Sequence, residues 1–98
     1  MASEGQSAEI YEMGKNGNWA AIRTCFQNNF LLARQAVRYV RASSGWSLLH
    51  QAAHWGDKSA VEMCLGFGAN SQLVSKYSET PSQVALMNGH HELSAILE

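Results

Sequence analysis

Acidic side chains are missing from the middle of this chain. None stands between Met13 and Gly56, yet all four arginines, Arg23, Arg34, Arg38 and Arg41, lie inside that stretch. Carboxylates occur at Glu4, Glu9 and Glu12 and return only at Asp57. The chain is therefore a local dipole, although its net charge is only −1. One arginine cluster on a near-neutral protein falls short of the basic stripe that tracks phosphates, so nucleic acid is not an expected partner. Cysteine is scarce as well. Cys25 and Cys64 are too few for a small disulfide scaffold. Both sit among apolar residues at helical spacing, which favours buried, reduced thiols. No apolar run approaches the ~20 residues that cross a bilayer. No apolar core follows Met1, as a secretory leader would require. The expectation is an intracellular protein, cytoplasmic or nuclear, without a membrane segment.

The usual signatures of chemistry are absent too. There is no glycine-rich phosphate loop, no G-x-S-x-G and no carboxylate pair. His50 and His54 stand at i, i+4, as on a zinc-binding helix, but no Glu follows His50 as in H-E-x-x-H. Gly66-Phe67-Gly68 closes a helical pattern where a nucleotide motif would open one. No catalytic residue, metal or cofactor is therefore expected, and the chain does not read as an enzyme.

What is present is a period. Ser47 and Thr80, Ala52 and Ala85, and Gly56 and Gly89 are each separated by 33 residues. A fixed offset of this size marks stacked units, none of which buries its apolar face alone. With 98 residues and 46% hydrophobic content, the units form one globular domain with a small core. Apolar residues at helical spacing give three helix–turn–helix units, turning at Gly17, Gly56 and Gly89. The first carries Ile10, Tyr11 and Met13, then Trp19, Ile22, Cys25 and Phe26. The second carries Leu49, Ala52 and Ala53, then Val61, Cys64 and Leu65. The third ends on Leu93, Ile96 and Leu97. Asn18, Asp57 and Thr80 are suited to cap helices, Pro81 fits a first helical turn, and Asn28-Asn29 suits a left-handed helix end. The expected organisation is a disordered segment 1–6, units at about 7–29, 42–74 and 75–98, and an extended finger at 30–41.

The stretch Gly45–Gly68 closely resembles an ankyrin repeat, G-x-T-P-L-H-x-A-A-x-x-G-H followed by a helix ending L-L-x-x-G-A. Gly45, Ser47, Leu49, His50, Ala52, Ala53, Gly56, Val61, Leu65, Gly68 and Ala69 match. The third unit matches at Thr80, Pro81, Ala85, Gly89 and His90, but has Ser82 for Leu and Gln83 for His. The first unit resembles the family through Ile10, Gly17, Ile22, Cys25 and Phe26 and lacks the threonine–proline signature. The resemblance implies an all-α solenoid with short hairpin-like turns between units. It also implies a concave, non-catalytic surface that binds a protein or peptide.

On that surface the resemblance places Ser43, Ser44, Trp46, His54 and Trp55 from the second unit. It adds Lys76, Tyr77, Glu79, Met87 and Asn88 from the third, with Lys15 and Asn16 as counterparts in the first. Trp46, Trp55 and Tyr77 would project outward as anchors, since Tyr, Trp and Met concentrate at interface hot spots. The alternative is that the tryptophans cover the small core. Arg34, Arg38 and Arg41 share one face if the finger is helical, whereas Val37, Tyr39 and Arg41 alternate if it is extended. They serve either an acidic partner or phosphate, or a solvated face paired with Glu9, Glu12 or Glu62. Other settings for the domain are an oligomerising unit with weak self-association, or the regulatory N-terminal part of a longer protein.

Overall fold

Hydroxyl and carboxylate side chains set where the helices begin. The computed structural model describes residues 4–98. Among them are seven helices: α1 (Glu4–Lys15), α2 (Trp19–Asn28), α3 (Phe30–Ala36), α4 (Leu48–Trp55), α5 (Lys58–Gly66), α6 (Pro81–Met87) and α7 (His91–Leu97). Ser47 opens α4, Asp57 opens α5 and Thr80 opens α6, each side chain accepting from a backbone N–H of the first turn. These bonds satisfy donors that a helix start otherwise leaves orphaned. Asn18 precedes α2 without making such a side-chain bond, contrary to expectation. Gly17, Gly56 and Gly89 turn the chain between paired helices at positive φ, as the 33-residue pattern implies.

Helices α1, α4 and α6 stack side by side, and α2, α5 and α7 pack behind their own partners. Small residues make this close approach feasible. Ala52, Ala53 and Ala85 are fully buried in the stack. A Cβ on Gly14 would come within 2.6 Å of the Leu48 side chain. The core runs unbroken from Ile10 and Ile22 through Phe26, Leu49 and Val61 to Val84 and Leu97. Gln51 Nε2 donates to the hydroxyl of Tyr11 at 2.9 Å, tying α4 to α1 by a buried polar bond.

Two boundaries differ from the sequence expectation. Helix α1 starts at Glu4, so residues 4–6 are helical rather than disordered; residues 1–3 lie outside the described residues. The supposed extended finger is mostly helix. Asn29 has φ −154°, not a left-handed value, and its side chain accepts from Leu32 N to start α3. Leu32, Ala33, Ala36 and Val37 then form a buried stripe against α1 and α2. The alternation at residues 37–41 yields only one bridge, between Val40 and Ser47.

The two departures from the repeat pattern have local explanations. Ser82 donates to the Ser94 carbonyl at 2.8 Å, so a buried hydroxyl links α6 to α7 where leucine would pack. Gln83 accepts from the Thr80 N–H at 2.8 Å. It makes at the third helix pair the bond that His50 makes at the second, where Ser47 N–H donates to Nδ1 at 3.1 Å.

His50 is fully buried. Because Nδ1 accepts from Ser47, Nε2 carries the hydrogen and donates to the Glu79 carbonyl at 3.0 Å. Burial lowers its pKa from the ordinary 6.5, partly offset by the Glu79 carbonyl. Above pH 6.5 the ring is neutral in the folded and unfolded chains alike. Below it the unfolded chain takes the proton first, so stability falls until the folded-state value is passed. Melting temperature should therefore drop between pH 7.5 and 5, and His50→Gln, which copies Gln83, should flatten that slope. An unchanged slope in the variant, measured by circular dichroism, would exclude His50 as its source.

Cys64 is fully buried, whereas Cys25 is only half-buried, short of the expectation for both. Burial pushes the Cys64 thiol up to about 12. A thiol reagent at pH 8 should label Cys25 in the native protein and Cys64 only at the rate of unfolding, read site by site by mass spectrometry. Equal labelling rates would contradict the packing of Cys64.

Candidate partner-binding surface

Two turn tips, residues 43–46 and 76–79, lie side by side because the stack repeats. Lys76 N donates to the Ser44 carbonyl at 3.0 Å. Gly45 between them has φ +74°, and a Cβ there would lie 2.7 Å from Lys76 N. Only glycine combines that backbone with that approach.

Trp46 clamps the tips together. Its Nε1 donates to the Glu79 carboxylate at 3.1 Å, and its ring stacks on His50 with centroids 5.7 Å apart. His54 tilts against the same ring at 6.0 Å. The expected outward anchor is therefore half-buried and joined to the core. Glu79 is equally committed. Its carboxylate also accepts from the Ser75 hydroxyl at 3.1 Å, and its carbonyl from His50. Ser44 is half-buried, with its hydroxyl accepting from Trp46 N at 3.2 Å. Asn88 donates from Nδ2 to the Val84 carbonyl at 2.8 Å and closes α6.

The free side chains are elsewhere. Tyr77 is 68% exposed and Met87 70% exposed. They line an open cleft with Ser78, Glu79, Gln83 and the exposed Leu86. Trp55 is half-exposed. Its Nε1 donates to the Lys15 carbonyl at 3.3 Å, and its ring covers Gly17. Lys15, Asn16, Ser43, His54 and Lys76 are all exposed around this row. Leu86 is absent from the expected set. It occupies, one period on, the position of buried Ala53, so a large apolar residue at a small-residue position was its signal.

The arginines do not form one face. Arg41 lies beyond the end of α3, pairs with Glu12 at 2.8 Å and covers the Tyr11 ring at 4.5 Å. Arg34 and Arg38 remain together, lining a cleft with Gly66, Phe67 and Gly68. Among the described residues no group of three or more His, Cys, Asp or Glu side chains is placed to hold a metal. No helix among them is long and apolar enough to cross a membrane.

Comparison with known proteins agrees with this geometry. Residues 49–97 match the family model for ankyrin repeats (many copies). A segment of 53 residues is 38% identical to the ADP-ribosylation factor GTPase-activating protein AGD4 of Arabidopsis thaliana. That segment is 54% of this chain but only 7% of the relative, so the chain spans a small part of that protein. The family match covers half the chain, from within α4 to the end of α7. The chain belongs to the ankyrin-repeat family.

Proposed function

We propose that the chain is a non-catalytic protein–protein interaction module whose partner rests on the Tyr77–Leu86–Met87 cleft and the neighbouring Trp55. Ankyrin repeats are generally protein-binding modules and typically non-catalytic. The observation that carries the finer reading is the exposure of Tyr77 and Met87 beside a turn whose backbone is held by five hydrogen bonds. A turn backbone that is already fixed has little left to order on binding, which favours affinity. The partner is a folded protein or a peptide with an apolar contact surface. The relative's name assigns GTPase activation to that protein, and the matched segment is 7% of it. A binding element within a longer protein is therefore an alternative setting for the same surface.

A second reading has its own observation. Leu86 and Ile96 are about half exposed, whereas Ala53 and Met63, one period earlier, are buried. The last unit thus presents to solvent positions that the preceding unit buries, and weak self-association would cover them.

Both readings are open to measurement. Tyr77→Ala/Met87→Ala should melt within about 4 °C of the wild type, because both side chains are exposed. Proteins retained by the immobilised wild-type chain should be lost from this variant, and an identical retained set would refute the proposed surface. For self-association, sedimentation at rising concentration should reveal a dimer that Leu86→Ser/Ile96→Ser abolishes. A wild-type monomer at every concentration would remove that reading.

A further inference from the structure

We propose a second docking site, separate from the turn tips: the cleft between α3 and the end of α5 takes an acidic, partly apolar peptide segment of another protein. The helix that builds it is the segment where the 33-residue period fails. Helix α3 buries Leu32, Ala33 and Ala36 and turns its other side outward. Phe30 is 67% and Leu31 56% exposed there. Phe30, Arg34 and Arg38 follow at i, i+4 and i+8, with the Arg38 N–H bonded to Gln35 O so that the helical turn continues past Ala36. The floor is Phe67, whose ring lies 6.0 Å from Phe30 and 5.3 Å from Phe26. Gly66 and Gly68 form the rim, and a Cβ built on either meets nothing within 4 Å. A peptide backbone therefore has a smooth, open edge to approach.

The electrostatics select the occupant. Arg41 is matched by Glu12, but neither Arg34 nor Arg38 has a carboxylate at ion-pair distance among the described residues. The sequence around them holds no acid from Met13 to Gly56. The end of α5 opposes an anion by about half a charge, against two full charges from the guanidiniums. The carbonyls of Met63, Cys64 and Leu65 are moreover already bonded by the N–H groups of Phe67, Gly68 and Ala69. Guanidinium pairs with carboxylate through two parallel bonds, which favours Asp or Glu. The exposed Phe30, whose ring lies against Phe67, adds a requirement that free phosphate does not meet: an apolar side chain next to the acid. Two apolar residues on a seven-residue helix are too few to hold a bilayer surface.

The test uses the full chain and a fluorescently labelled peptide alternating Glu with Leu and Phe, with Gln replacing Glu in the control. The Glu peptide should bind, weaken as salt rises, and bind at least about tenfold more tightly than the Gln peptide. Arg34→Glu/Arg38→Glu should cut its affinity about tenfold or more. Gly66→Glu is the independent variant. Glutamate is a better helix former than glycine and meets no clash, so melting temperature should hold or rise while an internal carboxylate fills the cleft and weakens binding. Tyr77→Ala/Met87→Ala should leave this peptide unaffected, which separates the site from the turn surface. The proposal is overturned if the Gln peptide binds equally well or if the charge reversals leave binding unchanged. It is equally overturned if inorganic phosphate displaces the peptide at millimolar concentration, or if phosphatidylserine vesicles bind the chain and the peptide does not.

Discussion

The imidazole of His50 joins two units that neither local sequence nor helix propensity would align. Its Nδ1 accepts from Ser47 at the start of α4, and its Nε2 donates to Glu79 in the next turn. One buried ring thus ends a helix cap and begins an inter-unit contact. Burial keeps it neutral, and neutrality keeps one nitrogen an acceptor and the other a donor. A doubly protonated ring would set a donor against the Ser47 N–H and carry a buried charge. That state would weaken the bond to Ser47 that the neutral ring makes, and the stacked Trp46 ring helps bury the imidazole.

The division of labour among aromatic residues follows from this clamp. Sequence position alone treats Trp46, Trp55 and Tyr77 as equivalent members of a variable set. The structure separates them by what their polar atoms do. Trp46 Nε1 is bound to Glu79 and its ring to His50, so it fixes geometry. Trp55 bridges to the first unit through Lys15 while leaving half its surface free. Tyr77 has a backbone bond to Ser75, and its side chain is the most exposed of the three.

The helices, the glycine turns, the caps at Ser47, Asp57 and Thr80 and the buried alanines were legible because each is encoded locally or by the 33-residue offset. Residues 30–41 were not, because their two periods compete. Leu32, Ala33, Ala36 and Val37 follow a helix, while Val37, Tyr39 and Arg41 follow a strand. Packing against α1 and α2 decides for the helix, and that packing is not visible in sequence. Arg41 left the arginine group for a similar reason. Helix α3 ends at Ala36, and the chain then folds back so that Glu12 and Tyr11, nearly thirty residues earlier, become its partners. Glu12 was among the carboxylates the sequence offered as partners, but which arginine it takes is decided by long-range packing.

The tip that carries Tyr77 is closed from both ends. Ser75 N donates to the Glu79 carbonyl at 2.9 Å, and Ser78 N to the Ser75 carbonyl at 3.1 Å. The Ser75 hydroxyl accepts from Tyr77 N and Glu79 N. Inside this loop Ser78 has φ 61°, a left-handed value that costs a non-glycine residue on the order of 1 kcal/mol. A loop free to relax would lose that conformation, so the surrounding bonds over-determine it. The same bonds anchor Glu79, which receives Trp46 and His50 from the preceding unit. Strain at the tip, the clamp between units and the outward Tyr77 are thus one connected arrangement, in which the stability of the stack maintains the shape of the exposed surface.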